Sequence, residues 1–283
     1  MMKKSIITLM LLCLVGNIFS QAPFPSSGDI ELFLKSKTGI VLESKTYSVY
    51  NSYIKKAAQE YWNITPWEFI STDDFEEKRK DPSWSFLVLT ETNFDRDKSK
   101  SSFNFLNLLQ GKDVTDIGAM PEICAIPLSS ADEDDMDYGY KLGAVLSFIQ
   151  KHARMISEEP SQTGRRYLKY YNKNIPLTAN KVVLVKQEDL SPAIDSEAKI
   201  SAFYRNTIEI VPEESIVDAI KSKAPGKLIL HVVSPAGDAS SGYCFKMLIG
   251  TDDADMYYYN QHMIDRNNPK GLLPSDLKRL SRF

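Results

Sequence analysis

The chain reads as an α/β protein of two similar βαβαβββ lobes with mixed sheets, an internal duplication whose copies are joined by a long helix. Three observations predict this. A segment from Val41 to Thr90 recurs in pattern from Val183 to Val233, apolar runs of strand length alternate with amphipathic runs of helix length, and the longest amphipathic run falls between the copies. Within the repeat, Val41-Leu42 answers to Val183-Leu184, Tyr61-Trp62 to Phe203-Tyr204, Glu68-Phe69-Ile70 to Glu209-Ile210-Val211, and Phe86-Leu87-Val88-Leu89 to Leu228-Ile229-Leu230-His231. An offset of about 142 residues holds through strand, helix, strand, helix and strand, as copying of one supersecondary unit would produce.

The first lobe is assigned to residues 21–130. A short helix, Asp29 to Lys37, precedes the strand Ile40 to Glu43. Asn51 and Ser52 can cap a helix in which Ile54, Ala57, Ala58 and Tyr61 recur at three- and four-residue steps and so form one apolar face. Trp67 to Ile70 suits a strand, and Ser71-Thr72-Asp73-Asp74 opens a helix with its acids in the first turn, where the helix dipole favours them. Asp81-Pro82-Ser83 turns the chain into Trp84 to Thr90, whose run Phe86-Leu87-Val88-Leu89 fits a strand covered on both faces. Strands Ser102 to Gln110 and Glu122 to Leu128 complete the unit.

A connector, residues 131–175, holds one helix from Asp134 to Ser157 with Leu142, Val145, Leu146, Ile149, Ala153 and Ile156 on a single stripe. Such a helix spans about 35 Å and can buttress both lobes. Glu158 to Gly164 is the best linker, followed by a short helix, Arg165 to Tyr171. The second lobe, residues 176–283, repeats the order: strand Lys181 to Lys186, helix Pro192 to Tyr204, strand Thr207 to Val211, helix Pro212 to Ser222, strand Lys227 to Ser234. Pro192 and Pro212 suit the first turn of a helix, where a missing N–H costs nothing. Strands Gly242 to Gly250 and Asp255 to Met263 form a hairpin about Thr251-Asp252-Asp253-Ala254, and a helix, Pro274 to Leu280, closes the lobe.

Residues 1–20 read as a secretory signal peptide. Lys3 and Lys4 precede an apolar run from Ile6 to Val15 that is too short to span a bilayer, and Ile18 and Ser20 fit the two positions a signal peptidase reads. Cys13 follows Leu11 and Leu12 rather than the small residues of a lipoprotein signal. The expected localisation is therefore export, to a periplasm or the outside of the cell, with no transmembrane segment in the mature chain. The net charge of −3 becomes more negative once Lys3 and Lys4 are removed, and no basic cluster is present to neutralise phosphates, so nucleic acid is not an expected partner. Cys124 and Cys244 each stand in an apolar strand-like run and read as buried free thiols.

Chemistry is harder to read. His231 sits in the apolar strand Leu228-Ile-Leu-His-Val-Val, where the other lobe has Val88 or Leu89, so it reads first as a hydrogen-bonded core histidine and second as a base of tuned pKa. His152 and His262 stand far from it in sequence, and no metal-ligand spacing links the three. The acidic run Asp132 to Asp137 lacks the glycine and distant glutamate of a calcium loop and reads as a charged helix start. Asp252, Asp253 and Asp255 read as turn residues. The loop Ser234 to Gly242 lacks the ending of a phosphate loop, and no Gly-x-Ser-x-Gly elbow is present. Trp62 and Trp67 match Tyr204 and Ile208 in the second copy and read as core. Tyr257, Tyr258 and Tyr259, with Tyr243 across the hairpin, form the best candidate recognition surface, because alternate rings of a strand face opposite sides.

With no catalytic residues, metal or cofactor assigned, the expected function is that of an exported, non-catalytic binding or assembly protein of a bacterial cell envelope. Its partner would be a protein or a small ligand, bound in the groove between lobes or on the aromatic hairpin. The alternative is a secreted hydrolase whose site assembles only in three dimensions from His231 and Cys244.

Overall fold

The computed structural model describes residues 23–45, 47–94, 97, 99–132, 136–164 and 166–282. The signal peptide read from residues 1–20, Cys13, Arg165, and Glu133, Asp134 and Asp135 of the acidic run lie outside them. In the first lobe, α1 (Ser27–Lys35), β1 (Lys37–Val41), α2 (Val49–Tyr61), β2 (Trp67–Ile70), α3 (Thr72–Lys78), β3 (Trp84–Asn93), β4 (Ser102–Gln110) and β5 (Glu122–Ser130) follow in turn. Ser26, Ser48 and Ser71 cap the three helices, each accepting from a backbone N–H of the first turn, which satisfies donors the helix itself cannot. The second lobe consists of β6 (Val182–Val185), α6 (Glu197–Ser201), β7 (Ile208–Ile210), α7 (Glu213–Lys221), β8 (Lys227–Val233), β9 (Tyr243–Gly250), β10 (Met256–Met263) and α8 (Pro274–Leu280).

Both sheets are mixed, five-stranded and wired alike, in the order β2-β1-β3-β4-β5 and β7-β6-β8-β9-β10. In each, the first strand pairs parallel with the second and third, and the last three strands run antiparallel. Register fixes the correspondence more finely than a constant offset can. Thr38 pairs with Trp67 and Ser85 as Val183 pairs with Ile208 and Leu228, so Thr38 corresponds to Val183, whereas the sequence pattern set Val41 there. Likewise Leu87 opposite Leu108 matches Leu230 opposite Leu248, which places Val88 against His231 and Leu106 against Lys246.

Strand alternation sorts the side chains into three apolar clusters and these order the layers. Val41, Phe86 and Val88 face α3. Ile40 and Leu87 face the opposite way, into a large central cluster shared with α1, α2 and α7 and with Leu184, Ile229, Val233, Phe245 and Met247 of the second sheet. Val183, Val185, Leu228, Leu230 and Leu248 face α6 and α8 on the far side. The molecule is thus stacked helix, sheet, helix, sheet, helix, and the middle helical layer serves both lobes.

The expected helix from Asp134 to Ser157 is instead two, α4 (Met136–Gly139) and α5 (Leu142–Glu158), broken at Tyr140 and Lys141. Close packing flanks the break on both sides. A Cβ at Gly139 would lie 2.3 Å from the ring of Tyr53 and one at Gly143 2.6 Å from that of Tyr61, so α2 is held against backbone at both places. α5 packs on α1, α2 and β5 of the first lobe and on α7 and β9 of the second. The single helix expected from Pro192 to Tyr204 is likewise a 3₁₀ turn, Pro192–Ile194, and then α6, while Arg165 to Tyr171 gives way to a 3₁₀ run from Tyr167 to Asn180. Among the described residues no helix is long and apolar enough to cross a membrane.

Two of the four sheet edges are covered from within the chain. At β5, the Tyr167 hydroxyl accepts from the Ala125 N–H at 2.6 Å and donates to its carbonyl at 3.2 Å. At β10, Asn172 exchanges two hydrogen bonds with the backbone of Tyr259, and Asn174 donates to the Met256 carbonyl. The outer strands β2 and β7 are last in their sheets, and carry Glu68 and Glu209 at corresponding positions, paired with Lys37 and Lys227. Charge on an open edge discourages pairing with other chains.

Candidate functional site

A cavity of about 130 Å³ lies where the lobes meet, lined by Leu128 of β5, residues of α4 and the α4–α5 break, the segment after β6, and His231 of β8. It sits beyond the carboxyl end of β6, the end at which open α/β sheets generally bind ligands. Tyr140 and Lys141, in the break between α4 and α5, both line it. The 3₁₀ turn Gln187–Asp189 brings in Glu188 and Asp189.

The lining is polar and of mixed charge. Lys141 is only 3% exposed, and its ammonium has Asp189 at 3.4 Å. Lys186 is paired with Glu188 at 2.5 Å and Glu213 at 3.5 Å, and the Tyr140 ring lies 5.2 Å from the Lys141 nitrogen and 5.5 Å from that of Lys186. Burial raises the Asp189 carboxyl above the usual carboxylate range although Lys141 opposes it. Burial acts on Glu188 in the same direction, but the bond from Lys186, a backbone N–H and the charges of Lys186 and Lys141 together outweigh it and hold that group low. The Tyr140 phenol is pushed well up by burial and by the carboxylates of Asp189, Glu213, Glu188 and Asp137.

His231 is 1% exposed and its Nε2 lies 3.0 Å from the Pro127 carbonyl. A carbonyl only accepts, so Nε2 carries the proton and Nδ1 presents a lone pair. Proline has no N–H and β5 is an edge, so this imidazole crosses from the second sheet to a carbonyl of the first. Among the described residues, neither Nδ1 nor the Tyr140 hydroxyl, both buried, has a hydrogen-bond partner. Burial, with Lys141 adding and the Pro127 bond opposing, pushes the imidazole down to about 3. A group that weakly basic gives little driving force for proton abstraction near neutral pH.

His231 and Cys244 do not meet. His231 lies opposite Met247 on the central-cluster face, whereas Cys244, three residues back on β9, points to the other side, toward the Gly271 carbonyl. The sheet itself separates them, and burial pushes the Cys244 thiol up to about 11, against thiolate formation. Cys124 and Cys244 are both free and buried.

The aromatic hairpin is interior. Tyr257, Tyr258 and Tyr259 are 3%, 0% and 7% exposed, because the 3₁₀ run Tyr167–Asn180 covers the edge of β10 and α8 covers one face. Their hydroxyls bond Asp253, Asp276 and Gln261. Tyr243 is half-buried at the lobe junction, its ring 4.9 Å from that of Phe94, beside Phe245, which contacts Phe103 and Phe105. These four tyrosines therefore build the interior and the junction; they do not form a free surface. Trp62 is core at 4% exposed and donates to the Thr65 hydroxyl, while Trp67 is half-buried on β2. His152 is sandwiched near Phe148 and Tyr167, bonded to Tyr171 at 2.8 Å, and pushed down to about 3 by burial. Among the described residues no group of three His, Cys, Asp or Glu side chains is placed to hold a metal ion.

Sequence reasoning picked out His231 and missed its neighbours. Lys141 is the one recoverable signal, a charged residue at the head of an apolar helical stripe. The chain matches no protein-family model, no curated protein and no solved structure. The fold and the cavity define a two-lobed α/β protein with a polar inter-lobe site, and function is argued from that site alone.

Proposed function

We propose that this is an exported, non-catalytic binding protein of a bacterial cell envelope, with the inter-lobe cavity as its ligand site. The observation that carries the binding reading is that two lobes bring together, around one small cavity, a buried lysine, a buried imidazole nitrogen and a phenol hydroxyl, the last two without partners among the described residues. Buried polar groups are paired in folded proteins, so an unpaired set lining a cavity supports a bound molecule. The non-catalytic half is supported by the weakly basic His231 and by the sheet that stands between it and Cys244. Export rests on the leader read from residues 1–20.

Native mass spectrometry of the protein purified from its own cell envelope tests both halves. The reading expects a chain beginning near Gln21 that carries a small-molecule adduct, lost in Tyr140→Phe. A chain retained in the cytoplasm with its leader, or one free of adduct under the mildest conditions, contradicts it. An assembly role is the second reading, and the observation favouring it is that β2 and β7 are the end strands of their sheets. Cross-linking in the native cell through those two strands to one reproducible partner would favour that role.

A further inference from the structure

We infer that the inter-lobe cavity takes a neutral, hydroxyl-rich ligand, a short polyol or the hydroxyl edge of a small sugar; the inference rests on the binding reading above. The hydrogen-bonding needs of the lining define the class. Lys141 offers three N–H donors in a place only 3% exposed, and its carboxylate partner stands at the long distance of 3.4 Å. His231 Nδ1 needs a donor, because the proton of this neutral ring is committed to Pro127 through Nε2. One group that accepts from the lysine and donates to the imidazole satisfies both. An alcohol hydroxyl does this; a carboxylate cannot donate and an ammonium cannot accept. The Tyr140 hydroxyl, also unpartnered, can take either role toward a second hydroxyl.

Charge points the same way. An anion would face Asp137, Glu188 and Asp189, and a cation would face Lys141 and Lys186, all of them on the wall. Moving either from water into a lining of mixed sign costs solvation that neither sign of wall repays. A neutral molecule avoids this cost. Size sets the limit: about 130 Å³ admits a fragment of a few carbons, well under the roughly 300 Å³ and upward of drug-sized pockets.

The test titrates the full-length folded protein with glycerol, erythritol and D-glucose, and in parallel with acetate and methylammonium chloride at constant ionic strength, followed by calorimetry and by amide chemical shifts. Expected is saturable binding of at least one of the three polyols, weakened about ten-fold or more in Tyr140→Phe and in His231→Leu. The thermal midpoint of Tyr140→Phe should stay unchanged, since its hydroxyl has no hydrogen-bond partner among the described residues. Saturable binding of acetate or methylammonium alone would overturn the ligand class while leaving the binding reading standing. Polyol binding that both substitutions leave intact would place it elsewhere and overturn the site. Binding of none of the five would overturn the ligand class, while the binding reading beneath it is decided separately by the adduct in native mass spectrometry.

Discussion

The two lobes have the same strand order and the same pattern of parallel and antiparallel pairs, yet they hide their polar groups in different places. In the first, Ser36, Ser85, Thr38 and Thr65 form a buried chain of hydroxyls at the start of β1 and β3. In the second, Val183 and Leu228 stand where Thr38 and Ser85 do, and that corner is apolar. Its polar network lies instead on β9 and β10, where Lys246, Tyr258 and Asn260 replace Leu106, Cys124 and Ile126. Lys246 and Asp276 pair at 2.5 Å with both side chains essentially unexposed, and Asp276 also accepts from Tyr258, Asn260 and the Leu273 N–H. Burial works against the charge on Asp276, but Lys246 and these donors hold its carboxyl below the usual range. The shared wiring therefore comes from strand, turn and apolar pattern, and each interior accepts a polar cluster wherever its partners are complete.

The largest expected effect comes from giving the second lobe the first lobe's residue. Lys246→Leu leaves Asp276 buried without its counter-charge and should cost about 3–5 kcal/mol in urea unfolding, as the loss of one member of a buried pair generally does. Adding Asp276→Asn should recover part of the loss. A neutral Lys246→Leu would show that the pair contributes nothing to the difference between the lobes.

Next in size is a pH effect in the first lobe. Burial raises the Glu122 carboxyl to about 7 from an ordinary 4.5. The folded state thus holds this proton more tightly than the unfolded chain, so stability is lost as pH rises from about 4.5 to about 7 and then levels. Glu122→Gln should remove that loss and gain on the order of 1–3 kcal/mol at pH 8 relative to pH 4. Equal gains at both values would contradict the shift.

His231 acts on the acid side with the opposite sign. Its folded value, pushed down to about 3 from 6.5, means that stability is present above about 6.5 and lost as pH falls toward 3. His231→Leu, which restores the apolar character of Val88, should reduce the proton uptake on acid unfolding by one. His152 supplies a second proton and should be untouched by the change. Smaller still, Thr38→Val imports the second lobe's residue into the hydroxyl chain and removes one hydrogen bond each from Thr65 and Ser85, which keep those from Trp62 and Ser36, for about 1–2 kcal/mol by denaturant titration.

Much of this fold was legible where local chemistry decides it. Trp67–Ile70, Ser102–Gln110 and Pro274–Leu280 begin and end where apolar pattern and Pro or Ser placement put them. What depends on a distant neighbour was not. Nothing near Gly139 and Gly143 announces that Tyr53 and Tyr61 press on them on either side of a break. The hairpin tyrosines look like a surface until the 3₁₀ run Tyr167–Asn180 lies along β10. A constant offset could not follow the shifts in register that helices of unequal length impose, which is why Val41 was set against Val183. The cavity draws on four separate segments, and only His231 and, at the head of its apolar stripe, Lys141 carry a signal of their own.

On the binding reading, His231 presents an unprotonated Nδ1 to a ligand site between the lobes. Long-range proton–nitrogen NMR of the imidazoles at pH 7, recorded while erythritol is added, addresses it directly. Expected are a neutral ring protonated at Nε2 and a saturable shift of the His231 Nδ1 resonance toward a hydrogen-bonded value, with His152 unmoved. A His231 resonance that is already hydrogen-bonded without ligand, is protonated at both nitrogens, or is indifferent to the titration would contradict it.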